Sequence, residues 1–411
     1  MTAAVPPAAD DPTAAAVPAA AEGAGLGAAL RRLTEGELGS MRVLIVLFVI
    51  WAIFTVADSN FLTSRNLTGL AQQTSALGMV SVGVVFVLLL GEIDLSVGAV
   101  SGLAASVMAV LNVKHGWSPY LAMLAGLGVG AAIGAFQGTI ATRLVIPTFV
   151  VTLAGLLAWP GVQLKVLGST GTVNLDDPAI TNIGTTFLAD WLAWVVAAAA
   201  IAAMAVATAF TLARRKRANL ETEPLFNAVV RVAATGTAII AAVAVLNGER
   251  GLALSMLILV GVVVVCHAVL SRTTFGRHVY AVGGNAEAAR RAGINVTRVR
   301  IVVFMLASTF AAAGGILAAA RLLAVNQSSG GSDLLLLAIA GPVIAGVSLF
   351  GGRGIVWSAL LGALVVQSIS NGMDLLSLET SVKFIVTGAV LLAAVSLDAI
   401  LLQRRRAHGR L

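Results

Sequence analysis

Apolar runs of near-equal length dominate the chain, and they limit it to one solvent. They cover, to within a few residues, 41–57, 74–90, 97–113, 120–138, 147–164, 191–212, 229–246, 252–270, 301–323, 334–350, 355–370 and 382–402. Each approaches the roughly 20 residues that a helix needs to cross a bilayer core of about 30 Å. Only 11% of the 411 residues are charged, whereas 58% are hydrophobic; a soluble chain carries about a quarter charged. The expected fold is therefore all-α: a polytopic membrane bundle of about twelve helices, with ten as the alternative if a pair of runs is re-entrant. A soluble enzyme and a nucleic-acid binder are excluded, despite a net charge of +7.

Positive charge sets the orientation. Arg31, Arg32 and Arg42 precede the first run. Arg214 to Arg217 follow the sixth, the loop from Arg272 to Arg300 follows the eighth, and Arg404 to Arg406 follow the last. Even numbers of runs separate all these clusters, so the clusters and both termini are expected in the cytoplasm. Asn174, Asp177 and the turn from Asp374 to Glu379 then fall outside. Residues 1–40 are rich in Ala and Pro and read as a disordered cytoplasmic tail. Residues 41–402 form the membrane domain, with a cytoplasmic loop at 271–300, and 403–411 form a basic C-terminus. Cys266 is the single cysteine, and the four histidines have no ligand spacing; no metal site is expected.

Three places depart from a plain spanning pattern. The sequence GEIDLSVG puts Glu92, Asp94 and Ser96 between two apolar runs, where a carboxylate must find a partner, an interface or a water-filled cavity. Asp94 or Ser96 is expected to cap the following helix. Gly126, Gly130, Gly134 and Gly138 recur every four residues and form a packing seam on one helix face; no soluble strand precedes them, so they are not a dinucleotide fingerprint. The loop 271–300 contains a short helix of its own: Asn285 is its N-cap, Glu287 lies in its first turn, Arg290 and Arg291 in its last, and Gly293 is a left-handed stop. Topology alone does not require such a helix. Gly283 and Gly284 precede it, and together they read as a docking element. The chain has no G-x-x-x-x-G-K-[ST] loop, so it carries no nucleotide site of its own.

The stretches GEIDLSVGAVSGL, IPTFVVTLAGLLA, FGRHVYAVGGNAEAARRAGINV and SLFGGRGIVWSALLGALVVQSISNGM resemble the membrane subunits of bacterial ATP-binding cassette sugar importers, in the ribose, galactose and xylose branch. The resemblance runs from about Asn66 to Leu402. It implies a plasma-membrane permease paired with a second copy or a related subunit, a homodimer being the first expectation. It also implies two cytoplasmic ATPase subunits that hold ATP and Mg, and an extracytoplasmic sugar-binding protein. The helix Asn285–Gly293 becomes the coupling helix, with Gly283, Gly284, Asn285, Glu287, Ala288, Ala289, Arg290 and Gly293 as its residues. The charged segment Arg214 to Arg231, with its flanking runs, is similar to the longer xylose permeases, so xylose is the first substrate. Relatives carry an E-L-D-A-I-A-A-like stretch before the G-G-x-S motif; here SDLLLLAIAGPVIAG stands in its place, with Asp333 and Pro342.

A neutral sugar is passed by hydroxyl and amide groups among apolar walls. The candidates are Gln72, Gln73, Ser75, Glu92, Asp94, Ser96, Thr152, Gln367 and Asn371; each can instead bond a neighbouring helix. Aromatics make up 5% of the chain, which places a sugar-stacking site on the binding protein. The rival reading is an ion-coupled carrier that uses Glu92 and Asp94.

Overall fold

The computed structural model describes residues 39–390 except residue 223, together with residues 392 and 396. Both termini, including the tail and the basic C-terminus, lie outside the described residues. In chain order the helices are α1 (Gly39–Ala57), α2 (Ser64–Leu89), α3 (Val97–Ala109, continued by a wider helical turn at Val110–Lys114), α4 (Pro119–Arg143) and α5 (Thr148–Leu167). There follow α6 (Pro178–Thr185), α7 (Asp190–Arg217), α8 (Leu225–Asn247), α9 (Leu254–Arg272), α10 (Thr274–Gly284), α11 (Ala286–Arg291) and α12 (Val296–Leu322). The chain then forms α13 (Ser332–Ile344), α14 (Trp357–Leu375) and α15 (Thr380–Val390). Within the described residues each apolar run read from the sequence overlaps one of these helices, although the run 334–350 outlasts α13 and the run 382–402 is described only in its first part. Among the described residues, eight helices are long and apolar enough to cross a membrane: α2, α3 with its extra turn, α4, α5, α7, α8, α9 and α12. Three apolar stretches are shorter, Val43–Ala57, Ser332–Ile344 and Thr380–Val390.

The core is built around α2. From Thr74 to Leu90 every residue is buried, as a helix apolar on all sides requires. This helix begins ten residues before the apolar run that announced it. Its polar first turns find partners: the Asn66 side chain donates to the Phe61 carbonyl at 2.8 Å, and Thr63 caps the helix. Around α2 pack α12, α14, α9 and α13. By contrast α7 and α8 form a hairpin at the periphery, burying little besides Ala193, Ala197 and Val243.

The glycine seam of α4 meets α12. A Cβ at Gly130 would lie 2.5 Å from the Ser308 carbonyl oxygen, and one at Gly134 would lie 2.2 Å from that of Phe304. Gly138 faces Ile301, whereas Gly126 turns to the Ala104 carbonyl of α3. Glycine is what permits this approach of helix backbones.

One short antiparallel ribbon joins β1 (Thr172–Asn174) to β2 (Ala324–Asn326), pairing Thr172 with Asn326. It ties the segment after α5 to the segment after α12, at the end of the bundle opposite the α2–α3 connection. The loop 271–300 contains the expected short helix as α11, and a second helix, α10, precedes it; Gly283 and Gly284 form the last turn of α10.

Gly134→Ala should lower the thermal unfolding midpoint of the detergent-purified protein, because its methyl meets backbone. Gly128→Ala, with open space around it, should be neutral or raise stability by up to about 1 kcal/mol through helix propensity.

Candidate functional site

The α2–α3 break is where three of the sequence motifs converge. After Leu90 the chain turns at Gly91 (φ +74°), a left-handed residue that ends a helix at little steric cost. The following residues then run back along one face of α5. Thr148 donates its hydroxyl to Glu92, the Leu95 N–H donates to Thr152 Oγ1 at 3.1 Å, and Ser96 lies against Gly155. Since Gly155 is seven residues into α5, α3 starts about 10 Å inward of the start of α5. The break is an extended segment entering the bundle, not a tight turn on its surface.

Asp94 is buried. Its Oδ1 accepts the Ser96 N–H at 2.8 Å and the Ser96 hydroxyl at 2.7 Å, while Oδ2 has no partner. Beside it lies a void of about 10 Å³ lined by Val84, Val87, Leu88, Ile93 and Ile339, at the lower limit for one water. The expected capping is corrected. Ser96 occupies the N-cap position but accepts no N–H from α3, and Asp94 bonds to Ser96 itself rather than to the helix. A carboxylate two residues before a helix folds over the intervening N–H, which is the Asx-turn geometry. The Ser96 hydroxyl also lies 3.0 Å from Gln137 Oε1 of α4.

Below the break, three backbones meet. The Gly352 N–H donates to the Leu89 carbonyl at 2.9 Å. A Cβ at Gly283 would lie 1.7 Å from that same carbonyl oxygen, and one at Gly351 would lie 2.6 Å from the Gly283 carbonyl oxygen. The end of α2, the end of α10 and the loop between α13 and α14 thus touch main chain to main chain. Two side-chain links reinforce the junction. Arg300 Nη2 of α12 sits 2.8 Å from Glu92 Oε1, the two side chains being 31% and 15% exposed. The Tyr280 hydroxyl of α10 donates to the Gly354 carbonyl at 2.9 Å. Burial pushes the Tyr280 phenol above its ordinary value, so it keeps the proton it donates.

On the outer side of this junction is α11. Asn285 Oδ1 accepts the Ala288 N–H at 2.9 Å, Gly293 is left-handed at φ +85°, and Glu287 pairs with Arg290 at 2.8 Å and with Arg291 at 3.6 Å. Ala289 is buried and fixes the helix to the bundle, while Glu287, Ala288, Arg290 and Arg291 stay exposed.

The remaining polar residues singled out in the sequence lie at helix contacts. Gln72 Nε2 donates to the Gly184 carbonyl at 2.9 Å, whereas the buried Ser75 hydroxyl donates within α2 to the Gln72 main-chain carbonyl at 2.6 Å. Gln367 donates to Gln73 at 2.7 Å, and Asn371 exchanges hydrogen bonds with Asn66 at 2.8 and 3.0 Å. The last two pairs hold α14 to α2. Arg300 was missed as the partner of Glu92; the signal available was that a carboxylate in an apolar break needs a counter-charge.

A bundle of apolar helices, with an irregular segment buried between its central span and the next helix and a capped helix on one face, is the architecture of a polytopic membrane permease. The comparison with known proteins gives the family. The model described as "Branched-chain amino acid transport system / permease component" matches residues 66–395, and the chain belongs to this family. The xylose transport system permease protein of Haemophilus influenzae is 35% identical over 357 residues, 87% of this chain and 95% of that protein. The ribose import permease of Escherichia coli K12 is 31% identical over 369 residues, covering 90% and 96%. The fructose import permease of Rhizobium meliloti is 28% identical over 369 residues, covering 90% and 87%. No solved structure is a significant match to the chain.

Removing one partner of a largely buried ion pair strands the other, at a cost of about 3 to 5 kcal/mol. Arg300→Met should therefore lower the thermal midpoint well below that of the parent, and Glu92→Met combined with Arg300→Met should recover most of the loss. Equal melting of the single and double variants would show that the pair does not hold the junction.

Proposed function

We propose that the chain forms the membrane passage of an ATP-driven importer for a monosaccharide, xylose first, with the ATPase docking on α11. The observation that carries this reading is the junction. The capped helix is joined through α10, backbone to backbone, to the break in α2–α3 and to the α13–α14 loop, so a push on α11 reaches the interior of the bundle without a flexible joint. ATP and Mg belong to the partner ATPase. A binding protein delivers the sugar to the opposite face, near the β1–β2 ribbon, and a second copy of this chain completes the passage. Direction comes from the different stabilities of the inward- and outward-open states with and without ATP. In this reading the junction and both termini are cytoplasmic, in the plasma membrane.

Sugar is preferred over the branched-chain amino acids of the family's description because the similar proteins carry sugar names, xylose, ribose and fructose. An ion-coupled carrier is disfavoured by the geometry of its two candidate carboxylates: Glu92 is engaged by Arg300 and Thr148, and Asp94 by Ser96.

Uptake of radiolabelled D-xylose into proteoliposomes that hold the assembled importer, its binding protein and ATP should be insensitive to uncouplers, and the lone chain should accumulate nothing. Accumulation by the lone chain under an imposed ion gradient refutes the proposal. Glu287→Arg combined with Gly293→Pro should abolish co-purification of the ATPase while membrane insertion stays normal. Gly283→Ala leaves the exposed face of α11 intact, so the ATPase should still co-purify while sugar uptake falls by an order of magnitude.

A further inference from the structure

The second interruption of the bundle lies between β2 and α13, and the chain there descends into the membrane from the ribbon side. With 13 residues, α13 spans about 20 Å, short of a hydrocarbon core of about 30 Å. Its far end leads into the loop at the junction, so Ser332 and Asp333 start it well below the ribbon-side surface. The contacts agree. Cβ atoms at Gly98 and Gly102, in the first turns of α3, would lie 3.0 Å from the Gly330 carbonyl oxygen and 2.0 Å from that of Ser329. Gln163 of α5 anchors the descent by donating to the Asn326 carbonyl at 3.0 Å and the Ser329 carbonyl at 3.1 Å.

Irregular backbone at such depth is tolerated only where protein buries it or where it lines a water-filled cavity. A cavity of about 250 Å³ lies beside it, bounded by Ser101, Ala105, Ala318, Ser328, Ser329 and Asp333 among others. Asp333 and Ser328 are exposed. Among the described residues Asp333 forms no ion pair. A carboxylate open to its surroundings within the apolar depth faces water, not lipid.

We propose that this cavity is a sugar station on the passage, in which the Asp333 carboxylate accepts hydrogen bonds from the hydroxyls of a neutral polyol while Ser328 and Ser329 supply further hydroxyl and carbonyl contacts. The inference rests on the monosaccharide reading and deepens it. A zwitterionic amino acid would bring its carboxylate to a lining that holds one carboxylate and neither Arg nor Lys. No aromatic ring lines the cavity, so binding is weak, as release onward requires. The polar residues picked from the sequence lie elsewhere, in the α2–α14 and α2–α6 contacts and along the other break.

The test uses the assembled importer with Cys266→Ala as background, Cys266 being the chain's one cysteine and buried. Asp333→Cys and Ser328→Cys are expected to react with a charged, membrane-impermeant methanethiosulfonate an order of magnitude faster than Val206→Cys on the outer face of α7, and saturating D-xylose should slow the reaction. Asp333→Asn should raise the KM for uptake by an order of magnitude, with ATPase co-purification unchanged. If Asp333→Cys is inert to the charged reagent, whether under lipid or under a second copy of the chain, the inference is overturned. Reaction without protection by xylose, together with an unchanged KM in Asp333→Asn, overturns it equally. Uptake by the background importer is measured alongside: failure to transport any monosaccharide overturns the proposed function itself, whereas normal uptake with an unprotected site overturns only the station.

Discussion

Main-chain contact at the Leu89 carbonyl is the constraint on which the rest of the arrangement depends. Two segments crowd one oxygen, with Gly352 donating to it and Gly283 pressed against it. No side chain fits between them. Contacts of this kind have little slack, since packed backbone has discrete arrangements rather than a soft range of them. Motion of α10 therefore shifts the end of α2 and the α13–α14 loop together. The Glu92–Arg300 pair adds α12 to the same unit, and α12 runs against α4 along the glycine seam. A small element on one face is in this way connected to most of the bundle.

The two breaks complement each other. One enters from the junction side, along Thr148, Thr152 and Gly155; the other enters from the ribbon side, onto Gly98 and Gly102. They meet across the first turns of α3, whose glycines admit the second chain segment. Such interrupted helices place backbone carbonyls and short polar side chains at depth, where an unbroken helix would show only an apolar face. The small residues of α3 and α12 leave the neighbouring volume unfilled.

Much of this was legible in the sequence, and the part that was not has a physical reason. Apolar runs announced every spanning helix, because length and polarity are set by the bilayer and not by neighbours. Asn285, Glu287 and Gly293 announced α11, because capping is local. The start of α2 at Ser64 was not legible: Asn66, Gln72 and Gln73 look like loop until Asn371, Gly184 and Gln367 are found beside them. The same applies to the function of Asp94, whose preference for Ser96 over the helix depends on how α5 presses the segment. The ribbon was invisible because its two three-residue strands lie about 150 residues apart in the chain and neither forms a pattern alone. The depth of Asp333 required the length of α13 and its contacts with α3, which no window of sequence contains.

The peripheral α7–α8 hairpin adds a different point. Few of its residues are covered by this chain, so its position depends on what surrounds the bundle as much as on the bundle itself. A fluorophore or spin label placed in the connection after Arg217 would move with the hairpin and leave the central contacts untouched. It would give a reference independent of the central contacts, against which displacement of the inner helices during a transport cycle could be read.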